Sequence, residues 1–239
     1  MGALPHQSPF LAISQVRNGQ YLCVNDKNVQ NMGLLSKIFS NTRKPEGFWG
    51  RMIVAGMNSG SHAAIASWGL DFSGVPAEGE ILDIGCGGGA NLQRLMQRNL
   101  KGKVTGVDYS PVSVEKSKKV NADAIAKSRC QVLEASVSSL PFEDETFTMA
   151  TAFETVYFWP DIEKNFAEVR RVLASGGKFL IVNEDDGLSG NNEKWEKMIE
   201  GMHTYTPDEL KKHLTASGFK DITVKREESK RWLAVIAVK

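Results

Sequence analysis

Short apolar runs, turns and amphipathic stretches follow one another in a regular order from Glu80 to the end of the chain. Ile81–Ile84, Val104–Val107, Cys130–Leu133, Phe147–Phe153 and Lys178–Val182 are short and mostly apolar, as strands buried on both faces are. Between them lie helical spacings. Ala90–Arg98 follows a glycine turn. Ser110-Pro111 opens the next helix with a capping serine and a proline at the first helical position. Asp161–Ala174 sets Ile162, Phe166, Val169 and Leu173 on one face, and Gly176-Gly177 is expected to stop it. Thr206-Pro207-Asp208-Glu209 is a capping box that opens a last helix, closed by Gly218. Two final runs, Asp221–Arg226 and Trp232–Val238, leave no room for a crossover helix, so they are expected to pair antiparallel. The pattern predicts an α/β fold: a doubly wound, mostly parallel, seven-stranded sheet ending in an antiparallel hairpin.

The first 75 residues differ in character. Asn18-Gly19 within Ile13–Asn25 is a hairpin signal. Val29–Phe39 and Trp49–Trp68 read as helices, the second interrupted by Gly56 and Gly60. The expected organisation is an N-terminal helical cap over 1–75 and a main domain over 76–239.

Composition adds exclusions. The formal charge is +1, from 29 basic and 28 acidic residues, without the basic surplus of a chain that lives on phosphate backbones. No nucleic acid partner is expected. No apolar run approaches the ~20 residues that span a bilayer, and Met1–Phe10 lacks the features of a signal peptide. The cytoplasm is the expected compartment, and a homodimer is left open. Cys23, Cys86 and Cys130 show no zinc or redox spacing, so no metal is expected.

The chemistry sits at Ile81-Leu82-Asp83-Ile84-Gly85-Cys86-Gly87-Gly88-Gly89-Ala90, between a strand and a helix. Glycines there let the backbone turn sharply and approach a ligand. The helix N-terminus adds free N–H groups and positive dipole. Asp108 follows at the tip of the second strand, where a carboxylate can accept both hydroxyls of a ribose. These residues predict a ribose-bearing ligand and do not choose it: Gly85-x-Gly87-x-x-Ala90 also satisfies the dinucleotide fingerprint, which keeps a nicotinamide-dependent oxidoreductase open.

Four segments together resemble the class I S-adenosylmethionine-dependent methyltransferases. They are Ile81–Ala90, Val107-Asp108-Tyr109-Ser110, Leu140–Phe147 and Glu168–Gly177, in the family's order. The branch they resemble most is the small-molecule one of the ubiquinone/menaquinone-biosynthesis type. The resemblance implies the Rossmann-like methyltransferase fold, S-adenosylmethionine as cofactor and a small-molecule methyl acceptor, with a non-catalytic S-adenosylmethionine-binding protein of the same fold as the alternative. It implies that Gly85, Cys86, Gly87 and Gly89 carry the methionine part of the cofactor, with Asp83 organising the loop and reaching the amino group. Asp108 would hold the ribose and Tyr109 pack on the adenine. Where the family usually has an acidic residue near the adenine amino group, this chain has Ser136. Ser136 and Val137 are the expected contacts there, with Glu134 the alternative.

The fourth strand tip, Phe153-Glu154-Thr155-Val156-Tyr157-Phe158-Trp159-Pro160, faces the transferred methyl in the family fold. Glu154 and Tyr157 are candidates to orient or deprotonate an acceptor. Phe153 is expected at the cofactor, and Phe158 and Trp159 either wall the pocket or anchor the loop. His203 is a candidate base and His62 a weaker one, and Asn58 and Tyr205 lie in the segments that often close over the site in this family. Glu184-Asp185-Asp186 reads first as a solvated turn, and second as a polar contact to substrate or a metal site.

Overall fold

The computed structural model describes residues 60–190, 196–197, 199 and 201–239. The expected hairpin at Ile13–Asn25, the helix at Val29–Phe39, the first part of the Trp49–Trp68 helix, Cys23 and Asn58 lie outside them. Seven strands form one sheet: β1 Glu80–Ile84, β2 Lys103–Asp108, β3 Cys130–Glu134, β4 Phe147–Phe153, β5 Leu173–Asn183, β6 Lys220–Glu227 and β7 Trp232–Val238. Their spatial order is β3-β2-β1-β4-β5-β7-β6. The first five pair parallel. β7 runs antiparallel to both β5 and β6, as the short link between the last two runs requires.

Alternation along the strands supplies two cores. Leu82, Ile84, Val107, Ala150, Ala152, Phe179 and Ile181 bury toward one face. There they meet helix α5, Ile162–Val172, and helix α6, Pro207–Ala216. Ile81, Val104, Met149, Leu180 and Val182 bury toward the other. That face is covered by helix α1, Gly60–Ser73, through Ile65, Ala66 and Leu70, and by helix α2, Ala90–Arg98, through Leu92 and Leu95. The helix expected to start at Ser110 is present as α3, Pro111–Val120, with the short α4, Ala122–Ala126, after it. Ser110 caps α3 by accepting from the Ser113 amide at 3.4 Å. The Thr206 capping box of α6 is complete in both directions.

One boundary differs. The helix expected over Asp161–Ala174 ends at Val172, before Gly176-Gly177. Leu173 is already extended and pairs with Phe147 of β4, and the register then jumps to Met149 against Lys178. Leu173 is fully buried. Seating that side chain in the core and the backbone in the sheet outweighs the helical preference of two more residues, and the glycines become a bulge in β5.

The chain runs outward from β1 through β2 to β3, then returns to place β4 on the other side of β1. At the carboxyl ends of β1 and β4 the connections diverge, one before α2 and the other before α5. Open parallel sheets bind ligands in the crevice at such a point.

Candidate functional site

The glycine turn leaves β1 at that crevice. Gly85, Gly87 and Gly89 all have positive φ, at 75°, 51° and 81°, which residues with a Cβ rarely adopt. The amides of Gly85 and Cys86 both donate to the Val107 carbonyl, at 2.8 and 3.0 Å, tying the turn to β2. Side chains press on Gly85 and Gly89 from Thr155, Ser117 and Asn121, whereas nothing lies within 4 Å of where a Cβ on Gly87 would stand. The loop is therefore packed from below at its ends and open above its centre.

Two carboxylates frame it. Asp108 accepts from the Gly87 amide and the Ser110 amide, each at 2.9 Å. Burial raises its pKa, and those two backbone donors oppose the rise. Asp83 is 1% exposed. One of its oxygens accepts from the Thr151 hydroxyl at 2.7 Å, while the other, Oδ2, is buried without a partner. Desolvation pushes this carboxyl up to about 7. An orphaned acceptor beneath the loop and an open cradle above it fit a cofactor with an ammonium group and an extended chain.

The other expected cofactor residues are spread around this turn. Cys86 is buried, with Sγ 3.8 Å from the Ser117 hydroxyl; burial drives its thiol well above the usual range. Tyr109 is 38% exposed beside Asp108. Ser136 is exposed in a turn closed on Ser139, and Val137 packs into the core. Glu134 pairs across from Asp108 in the sheet register. Phe153 is buried in the cluster that holds Ile65 and Leu70 of α1.

At the tip of β4, Glu154 has φ +57°, an uncommon backbone for a residue with a side chain. Its amide is held by the Val182 carbonyl at 2.8 Å, and the next hydroxyl, Thr155, donates to the Ile84 carbonyl at 3.2 Å. So fixed, the Glu154 carboxylate meets Nδ1 of His62, from the first turn of α1, at 2.9 and 3.0 Å. That hydrogen bond raises the His62 pKa, against the opposing effect of burial. Glu184, just past β5, joins them: the three ligating atoms lie within 4.8 Å of one another. Desolvation, then repulsion from Glu154, pushes Glu184 up to about 8.

This corrects the reading of Glu184-Asp185-Asp186 as a solvated turn. None of the three is exposed, and Asp186, 2% exposed, is held by Arg226 through two nitrogens at 2.6 and 3.0 Å. β5 lies beside β4, so the segments that leave the two strands run together and pack under α1.

Tyr157 is 3% exposed and its hydroxyl accepts from the Asp185 amide at 3.3 Å. Burial and the carboxylates of Glu184 and Glu154 hold its phenol well above the usual range, so it stays protonated. Trp159 stacks on Phe179 with centroids 6.2 Å apart and anchors the loop in the core. His203 is tied to this loop through its backbone amide, which donates to the Tyr157 carbonyl at 2.8 Å. Its ring faces Glu196 at 3.5 Å and Glu209 at 3.8 Å, and packs on Tyr205. Glu154 is thus partnered by His62, which the sequence ranked below His203.

Residues 82–181 match the family described as a methyltransferase domain. A sterol 4-C-methyltransferase of Caenorhabditis elegans is 32% identical over 120 residues, 49% of this chain and 35% of that protein. The 27-O-demethylrifamycin SV methyltransferase of Amycolatopsis mediterranei is 30% identical over 144 residues, 58% of this chain and 53% of that protein. The chain therefore spans about a third to a half of the length of these relatives. A solved S-adenosylmethionine-dependent methyltransferase from Aquifex aeolicus shares the fold, with a TM-score of 0.66 at 18% identity over 79% of this chain and 97% of that one. Sheet order, glycine turn and family match agree: residues 82–181 carry a methyltransferase domain, on the fold of the S-adenosylmethionine-dependent enzymes.

Proposed function

We propose that this chain transfers a methyl group from S-adenosylmethionine to a small-molecule acceptor held at the tips of β4 and β5. The observation that carries this is the crevice itself. An open cradle over Gly87 lies beside the orphaned Asp83 oxygen and the Asp108 carboxylate. A second polar cluster, His62, Glu154 and Glu184, stands at the neighbouring strand tips.

When bound, the cofactor supplies an electrophilic methyl on a sulfonium, so the protein has chiefly to position and to exclude water. Aligning two reactants supplies about 7–11 kcal/mol of barrier lowering. Gly85, Cys86, Gly87 and Gly89 would carry the methionine chain, with Asp83 reaching its amino group. Asp108 would take the ribose hydroxyls. Tyr109, Phe153, Ser136 and Val137 would frame the adenosine. Glu154 orients the His62 imidazole, and this pair takes the acceptor's proton when the nucleophile is a hydroxyl or an amine, a contribution of about 10²–10⁴-fold. Tyr157, kept protonated, accepts from the Asp185 amide and keeps its O–H to donate. His203, through its bond to the Tyr157 carbonyl, positions that loop.

An N-terminal cap stays our assignment for the region up to residue 75, and what supports it is the described part, where α1 delivers His62 to Glu154. Among the described residues no helix is long and apolar enough to cross a membrane, and the cytoplasm is the compartment we propose. Small polycyclic acceptors are the first to try, because the relatives named above methylate a sterol and a rifamycin. Calorimetry with S-adenosylhomocysteine tests the cofactor half, and turnover on an acceptor panel tests the other. Folded protein that shows no heat with S-adenosylhomocysteine ends this reading.

A further inference from the structure

His62, Glu154 and Glu184 come from three separate segments of the chain: the first turn of α1, the exit from β4 and the exit from β5. Their ligating atoms converge within 4.8 Å. Glu154 and His62 satisfy each other at 2.9 Å. Glu184 is different: it is partly buried, and among the described residues it takes no hydrogen bond and forms no ion pair. Arg94 and Arg231 act on the cluster only through space. Arg94 is hydrogen-bonded to Asn91 at 2.7 Å, and Arg231 is paired with Asp185 at 3.4 Å. Among the described residues, two carboxylates therefore face one imidazole with no cation in contact, and one of the two has no partner.

We infer that His62, Glu154 and Glu184 form a binding site for one divalent transition-metal ion. One nitrogen and two carboxylate oxygens suit a borderline ion such as zinc or manganese. Ligands about 2.0–2.2 Å from an ion stand roughly 3–3.5 Å from one another. The His62–Glu154 pair already meets that spacing. Glu184 has to close on them, and it surrenders no hydrogen bond in doing so. Three protein ligands leave coordination positions open on the ion, where an acceptor oxygen would be polarised and its proton made easier to lose to water, which takes the place of the His62–Glu154 base when the ion is bound. Only this last role rests on the methyl-transfer reading; the site itself does not.

The test uses the full chain, stripped with a chelator and then titrated with Mn²⁺ alone or Zn²⁺ alone. Calorimetry is expected to show saturation at one ion per chain. His62→Ala and Glu184→Gln are each expected to weaken binding by about tenfold or more. Glu163→Gln, which removes the surface pair with His213 at 2.9 Å, serves as a control and leaves it unchanged. Pulsed electron paramagnetic resonance of the Mn²⁺-loaded wild type is expected to show coupling to an imidazole nitrogen, a readout that needs no variant to fold. No saturable uptake, uptake that both variants retain, or an Mn²⁺ spectrum without nitrogen coupling would overturn the site. S-adenosylhomocysteine binding is measured in parallel on the metal-free protein. Its presence without ion uptake sinks this inference alone, and its absence sinks the methyl-transfer reading alone.

Discussion

Glycines of one turn do different work. A methyl on Gly85 would be driven against Thr155, whose hydroxyl ties the β4 exit to β1. Gly85→Ala is therefore expected to cost about 1–3 kcal/mol of stability, read as a lowered midpoint in urea. Gly87→Ala meets no atom and carries only the left-handed strain of about 1–2 kcal/mol. Its methyl instead stands in the cradle, and S-adenosylhomocysteine affinity is expected to fall about tenfold or more, 1.4 kcal/mol per decade. Equal affinity losses after correction for stability would show that the cradle is not where the cofactor lies.

Asp83 carries a second residue-scale prediction. Its folded pKa is about 7, above the ordinary 3.8. The folded state thus holds this proton more tightly than the unfolded one, and the contribution to stability is complete below pH 3.8 and lost as pH rises through about 7. Asp83→Asn removes the titration while keeping the shape. Without cofactor, the melting temperature of the variant relative to wild type is expected to climb between pH 4 and 7.5, at about 2–4 °C per kcal/mol. Parallel curves across that range would place the Asp83 carboxyl in an ordinary environment.

At the scale of elements, α1 decides whether the His62–Glu154–Glu184 cluster exists. It crosses the sheet at Gly69, where an added Cβ would stand 2.5 Å from a methyl of Val182. Val182 is branched and fully buried in β5, so it cannot swing aside. Gly69→Ala is expected to lift the helix, cost about 1–3 kcal/mol and loosen the His62–Glu154 contact more than the cofactor loop. Thermal melting reads the first effect, and the His62 titration followed by nuclear magnetic resonance reads the second. A His62 pKa that stays raised in the variant would mean that the helix position does not set this contact. The sequence showed α6 and α3 clearly because Thr206 and Ser110 cap them locally. It misplaced the end of α5 because Leu173 answers to the sheet and the core, not to its neighbours in the chain.

For the whole molecule, one sheet joins the two halves of the site. A ligand that binds only the folded state stabilises it by about 2.7 kcal/mol at a hundred times its Kd, and S-adenosylhomocysteine is expected to raise the melting temperature by roughly 5–10 °C. Asp108→Ala, which also removes a partner of the Gly87 amide, is expected to lose most of that rise. An unchanged rise in this variant would take Asp108 out of the cofactor site.

The glycine turn and the acid beside it were legible in the chain because they are local: strand, turn, helix and the acid at the next strand tip are written within Ile81–Ser110. The continuous apolar runs of β1, β2 and β4 likewise marked them as buried on both faces, with successive side chains taking opposite sides whatever the partner strand. The cluster at the β4 and β5 tips was legible only in part: Glu154 and His62 were named singly, and nothing in the chain joined them to each other or to Glu184. His62, Glu154 and Glu184 are separated by 92 and 30 residues, and no spacing rule links them. Only the return of the chain from β3 to β4, which sets β4 beside β5, and the docking of α1 across them brought one imidazole and two carboxylates together. Glu184 read as a surface turn because its charge suits water. The tertiary structure buried it, because strand ends under a covering helix lose their solvent regardless of the residues they carry.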